Sequence, residues 1–323
     1  MRGSCAGTTE VGDGSGSNVV ASSSSAGVRL ERREVETTAP PTLPTIPGEL
    51  LFISSPTARC GTTLLQRLLT SSPDTVVFGE GVAAGLVELL LALARKEKLL
   101  ARAETHRIDL VRALGGEQFW YPHLSSEPDG LTRLAAEALT RYLRFHETEA
   151  ARSGRLRWGA KLPTVPVETL TTLRRLVPGA KVLYVIRDLF AAARSAKSRR
   201  FWHTHAELEH MATTWRDAVI ASESLRADPR VLIVDYEHLE QRGTSLLHEL
   251  EQFTGCARLD PAVLFAKVNT FAGESEGRHP AQYLAPGELD EAELALLERT
   301  LRFALTGSVT PDGRELNPRS RAF

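Results

Sequence analysis

The sequence predicts an α/β fold: a central parallel sheet of the phosphate-loop type, flanked by helices on both faces, in a single domain. Three observations predict it. Leu50–Ile53, Val76–Phe78, Val182–Ile186 and Val231–Val234 are short apolar runs bounded by turn residues, as expected of strands buried on both faces. Long segments with helical spacing separate them, so strand and helix alternate. A length of 323 residues with 42% hydrophobic content suffices for one large core.

Taken in chain order, residues 1–46 are rich in Gly, Ser, Thr and Pro and hold no apolar run. Such a segment cannot offset the entropy cost of ordering, so a disordered tail is expected there and the folded domain over 47–323. Leu50–Ile53 reads as the first strand. Ser54 to Thr63 is the turn into a helix whose Leu64, Leu65, Leu68 and Leu69 form an apolar stripe ending at Ser71-Ser72-Pro73-Asp74. Val76–Phe78 then closes one βαβ step, and Leu156–Ala160 is a further strand. The remaining helical segments are 82–100, 104–114, 130–152, 164–176, 190–200, 206–226, 238–254 and 288–304. Gly115–His123 and Asn269–Pro286 read as loops, and there is no internal repeat.

Parallel crossovers bring the residue after every strand to one carboxyl edge of the sheet. Gly79-Glu80, Lys161, Arg187-Asp188 and Asp235-Tyr236-Glu237 therefore gather beside the turn Arg59-Cys60-Gly61-Thr62-Thr63. In that turn, hydroxyls, a guanidinium and a glycine stand where free backbone N–H groups meet the positive end of a helix dipole, which suits a phosphate or sulfate group. The triphosphate pattern Gly-x-x-x-x-Gly-Lys-Ser/Thr needs Gly where Pro56 stands and Lys where Thr62 stands, so ATP chemistry is disfavoured. A turn that only caps a helix is the bland alternative. The rival functions are a small-molecule kinase with Thr62 or Thr63 on Mg²⁺ and a non-catalytic nucleotide-binding module.

Composition excludes other classes. Cys5, Cys60 and Cys256 give neither a disulfide framework nor metal spacing, and His106, His123, His203, His205 and His210 are scattered, so no metal is expected. A net charge of −1 gives no support for a nucleic-acid partner. The longest apolar candidate, Leu86–Ala94, contains Glu88 and falls well short of the ~20 residues that span a bilayer. No membrane span and a reducing, cytoplasmic location are expected.

Pro56-x-x-Arg59-x-Gly61-Thr62-Thr63 after a buried strand resembles the 5′-phosphosulfate loop of sulfotransferases that use 3′-phosphoadenosine 5′-phosphosulfate (PAPS). Tyr184-Val185-Ile186-Arg187, with Ser195 eight residues after the arginine, resembles the 3′-phosphate motif of the same family. Gly79-Glu80 makes the first stretch similar to tyrosylprotein sulfotransferases and related bacterial enzymes, although those carry Gly-Glu-Glu where this chain has Gly79-Glu80-Gly81. Lys161 in Lys161-Leu162-Pro163 matches the family's Lys-x-Pro, and Glu276-Gly277-Arg278-His279-Pro280 resembles its Gly-Arg-x-His-Pro loop. Together the resemblances run from Leu50 to Pro280.

What the resemblance implies is transfer of a sulfuryl group from PAPS to a hydroxyl of a small acceptor such as a sugar, lipid or secondary metabolite, leaving adenosine 3′,5′-bisphosphate. It assigns the 5′-phosphosulfate to Arg59, Cys60, Gly61, Thr62 and Thr63, and the 3′-phosphate to Arg187, Ser195 and Arg278. Glu80 is then the general base, expected to be buried with a raised pKa, while Lys161 and Arg59 stabilise the leaving group. His123 or His203 is the alternative base. Trp120, Tyr121, Phe201 and Trp202 flank an acceptor pocket or pack as ordinary core. Cys60 stands where the family usually has Ser, and a thiolate at the helix N-terminus is its alternative role.

Overall fold

The computed structural model describes residues 49–103, 128–241, 244–265 and 285–307. The expectations for the 1–46 tail, the 104–114 helix, the 115–123 loop, His123, Trp120, Tyr121 and Arg278 lie outside these residues.

Strand β1 (Leu50–Ser54) is buried along its whole length, which an apolar run without alternation requires. It is the middle strand of a five-stranded sheet. To one side lie β3 (Arg157–Lys161) and then β2 (Thr75–Phe78); to the other lie β4 (Ala180–Ile186) and then β5 (Val231–Asp235). Every pairing is parallel, with Ile53 opposite both Lys161 and Leu183. Gly159 faces Leu51 across the β1–β3 pair, and a Cβ there would sit 2.5 Å from the Leu51 carbonyl oxygen, so the close approach needs glycine.

Alternate β1 residues divide the core into two layers. Leu50 and Phe52 pack with Trp158, Val182 and Tyr184 beneath α2 (Glu80–Ala103), α3 (Pro128–Arg152) and α4 (Val167–Leu176). Leu51 and Ile53 face the opposite way, onto Leu65, Leu68 and Leu69 of α1 (Thr62–Thr70). Full burial of each such leucine contributes roughly 1.5–3 kcal/mol. A third cluster joins α5 (Leu189–Lys197), α6 (His205–Ser222) and α10 (Glu291–Gly307) through Ala193, Leu208 and Leu297.

Several boundaries move from their expected places. α2 begins at Glu80 rather than at residue 82, and α4 begins only after Pro166, whose ring removes an N–H and whose φ of −56° with ψ of 141° is extended. Within the 238–254 segment the described residues form α7 (Tyr236–Gln241) and α8 (Thr244–Thr254). A short α9 (Ala262–Phe265) completes the described set. No described helix is long and apolar enough to cross a membrane.

At the amino edge of the sheet Asp74 pairs with Arg157 at 2.5 Å and accepts the Ala257 N–H at 3.0 Å, which closes that end.

Candidate active site

β1 delivers the chain into a self-braced turn. Ser55 Oγ donates to the Thr57 carbonyl at 2.7 Å, and Thr57 Oγ1 lies 3.5 Å from Cys60 Sγ. Arg59 (φ 72°) and Gly61 (φ 101°) both take the left-handed conformation, so the backbone curls back on itself before α1 starts. Gly61 is the N-cap of α1 and has no side chain to occupy the first-turn N–H groups. Concave, uncapped backbone of this kind binds anions.

The turn leans on two neighbours. Thr164 donates its N–H to the Ser55 carbonyl and Leu162 to that of Ile53, at 2.9 and 3.0 Å, which draws the end of β3 alongside. On the other side the ring of Tyr236 lies against Gly61; a Cβ on Gly61 would meet ring atoms at 2.2 and 2.5 Å. The glycine is thus required twice, by its φ and by the ring.

Arg59 joins the two segments that the sequence reading treated as separate phosphate motifs. Its Nε donates to Ser195 Oγ on α5 at 3.2 Å, and its carbonyl accepts from Arg187 NH1 at the end of β4, also at 3.2 Å. The Arg187 guanidinium stacks on Tyr236, 4.3 Å from the ring centre, and Arg59 approaches the exposed Phe201 ring at 5.8 Å. Burial, then the nearby charges of Arg199 and Arg187, hold the Arg59 guanidinium below its ordinary pKa. Cations crowded in this way lower their mutual repulsion when an anion sits among them.

The other side of β1 carries a different pair. Lys161 is the last residue of β3, buried, and its Nζ lies 2.5 Å from Glu80 Oε1. Glu80 is not the buried carboxylate the sequence reading expected: its side chain is 54% exposed. The reason is its place at the rim: it is the first residue of α2 at the open sheet edge, where a carboxylate complements the helix dipole.

Cys60 is fully buried, and that burial pushes its thiol up despite the Thr57 contact. A reactive thiolate is therefore unsupported, and the residue serves the turn by packing and by its backbone. Trp202 is buried in the third core cluster, so it packs rather than lining a pocket, and His203 is exposed. One group of metal-ligand types occurs among the described residues, His205 with Asp290 and Glu293. Both Glu293 oxygens there bind Lys197 Nζ, at 2.7 and 2.8 Å, and the carboxylates of Asp290 and Glu293 accept each other's backbone N–H groups.

Asp235-Tyr236-Glu237 stand at this edge with no role legible from the sequence, and the same holds for Trp215. Tyr236 forms one wall of the turn, as described. The Glu237 carboxyl is pushed up to about 7 by burial and by a hydrogen bond with Asp235. An aromatic residue directly after a strand, opposite a required glycine, is a signal that could have drawn attention to Tyr236.

Residues 52–261 match the Sulfotransferase family. No curated protein matches the chain by sequence. Solved structures similar to it include the sulfotransferase domain of the Synechococcus PCC 7002 olefin synthase, at 18% identity and a TM-score of 0.44, covering 80% of this chain and 96% of that one. Sulfotransferase STF9 from Mycobacterium avium aligns at 14% identity and a TM-score of 0.43 over 83% and 79% of the two chains. The mouse sulfotransferase SULT7A1, complexed with PAP, aligns at 13% identity and a TM-score of 0.45 over 80% and 86%. With the family matched from within β1 to beyond β5, across the turn, Lys161, Arg187 and Ser195, the chain belongs to the sulfotransferase family.

Proposed function

We propose that this chain transfers the sulfuryl group of PAPS to a hydroxyl of a small-molecule acceptor and releases adenosine 3′,5′-bisphosphate. The observation that carries the reading is the position of Arg59. It bridges the uncapped turn before α1 to Ser195 and Arg187, so one connected set of donors can hold both phosphate-bearing ends of a nucleotide. The sheet order supports a division of labour, with the nucleotide grip over β1 and β4 and the Lys161–Glu80 pair over β3 and the start of α2.

In this reading the N–H groups of Gly61, Thr62 and Thr63 and the Arg59 guanidinium hold the 5′-phosphosulfate, while Arg187 and Ser195 hold the 3′-phosphate, with Arg278 as a second clamp. The donor supplies an electrophilic sulfur whose bond to the bridging oxygen breaks. Glu80 accepts the proton of the acceptor hydroxyl as its oxygen bonds to sulfur. Lys161 Nζ neutralises the charge left on the bridging oxygen, and Arg59 shares that work. Exposure of Glu80 fits a base that must reach a proton on a second, entering substrate.

A thermal-shift comparison tests the donor assignment. At a hundredfold excess over Kd, adenosine 3′,5′-bisphosphate stabilises the native state by ~2.7 kcal/mol, which for a chain of this size raises Tm by roughly 4–5 °C. ATP with Mg²⁺ stabilising the fold while the bisphosphate does not would overturn the reading.

A further inference from the structure

The main chain at Arg187 is held by two side chains from outside its own strand and helix. Trp215 Nε1, on α6, donates to the Arg187 carbonyl at 3.0 Å. Glu237 Oε1, on α7, accepts the N–H of Asp188 at 3.2 Å. These two groups belong to one peptide unit, the bond between Arg187 and Asp188, so both of its polar atoms are engaged from opposite chain segments. The same α7 turn supplies Tyr236, the ring beneath the Arg187 guanidinium. Asp188 for its part caps α5 by accepting the Ala191 N–H at 2.8 Å, which leaves its own N–H to Glu237.

We propose that Trp215 and Glu237 are positioning residues for Arg187, clamping the 187–188 peptide plane so that the guanidinium meets the donor's 3′-phosphate in one orientation. The proposal rests on the donor-site reading above. A peptide at a strand-to-helix junction is free to rotate, and a guanidinium four bonds beyond it sweeps a wide arc. Fixing the plane removes that freedom before the anion arrives, which is how preorganisation raises affinity. Neither side chain needs to touch the ligand.

The test uses Trp215→Phe, Glu237→Ala and Glu237→Gln in the full chain, with titration of adenosine 3′,5′-bisphosphate and hydrogen exchange at the Asp188 amide. Trp215→Phe and Glu237→Ala are expected to raise Kd about tenfold, and Glu237→Gln, which keeps an acceptor oxygen, to stay within about twofold of wild type. In an Arg187→Ala background the Trp215→Phe loss should vanish, because the residue it positions is gone. Asp188 exchange should accelerate in Glu237→Ala and not in Glu237→Gln. An undiminished loss in the Arg187→Ala background, or unchanged exchange in Glu237→Ala, overturns the clamp. If wild type has no affinity for the bisphosphate, the donor reading fails, and Asp188 exchange still decides the clamp.

Discussion

Replacing Gly61 by alanine probes the joint between the anion turn and the nucleotide grip. Two costs can be read from the structure. Gly61 has φ 101°, a conformation that costs a residue with a Cβ about 1–3 kcal/mol. The new Cβ would also lie 2.2 and 2.5 Å from Tyr236 Cδ2 and Cε2. Carbon atoms settle near ~3.5–4.0 Å, so the ring must retreat by more than about 1 Å, an overpacking cost of about 1–3 kcal/mol. The sum, about 2–6 kcal/mol, is a large part of ordinary domain stability. Urea unfolding of wild type and variant measures it, with an unchanged m-value as the control that both unfold from comparable states. Retreat of Tyr236 also removes the surface on which Arg187 stacks, so the Kd for adenosine 3′,5′-bisphosphate should rise alongside. In a Tyr236→Ala background the steric part disappears and Gly61→Ala should cost only its backbone strain. A stability change below about 0.5 kcal/mol with unchanged Kd would refute the reasoning.

Two further outcomes follow from the site. Glu80→Gln should lower turnover by about 10²–10⁴-fold, and Lys161→Ala by about 10²–10³-fold, with the donor Kd in both within about twofold of wild type; unchanged turnover would remove their roles. The second concerns Glu237, whose surroundings hold it protonated up to about pH 7, against an ordinary value of 4.5. The folded state therefore binds a proton that the unfolded chain has already released, so this contribution to stability is full below about 4.5 and is lost as pH rises through about 7. Asp235 on β5 is its hydrogen-bonded partner, and Arg187, Asp188 and His238 are the other ionisable groups nearby. Urea midpoints measured from pH 5 to 8 should fall less steeply in Glu237→Gln, and parallel curves would contradict the assignment.

The strands were legible because a central parallel sheet buries both faces, which leaves uninterrupted apolar runs such as Leu50–Ile53. Their spatial order was not, since nothing local to Arg157–Lys161 says that it lies between β1 and β2. The same gap hid the link from Arg59 to Ser195, which are 136 residues apart and meet only through the β1–β4 pairing. Glu80 was found by its place after a strand, yet its exposure depends on how α2 begins at the rim, a tertiary fact. Trp215 carried no signal at all. Its role arises from an indole N–H meeting one carbonyl across a helix–strand contact, and such a meeting leaves no spacing pattern in the chain.

The central claim is that Arg187, held beside Arg59 and Ser195, grips the 3′-phosphate of the donor. Isothermal titration with adenosine 3′,5′-bisphosphate and with adenosine 5′-monophosphate, for wild type and for Arg187→Ala, tests it most directly. One charge-assisted hydrogen-bonding group contributes ~1.5–3 kcal/mol, so wild type should prefer the bisphosphate by about tenfold or more, and Arg187→Ala should erase most of that preference. Equal Kd values for the two nucleotides in wild type, or a preference that survives in Arg187→Ala, would contradict it.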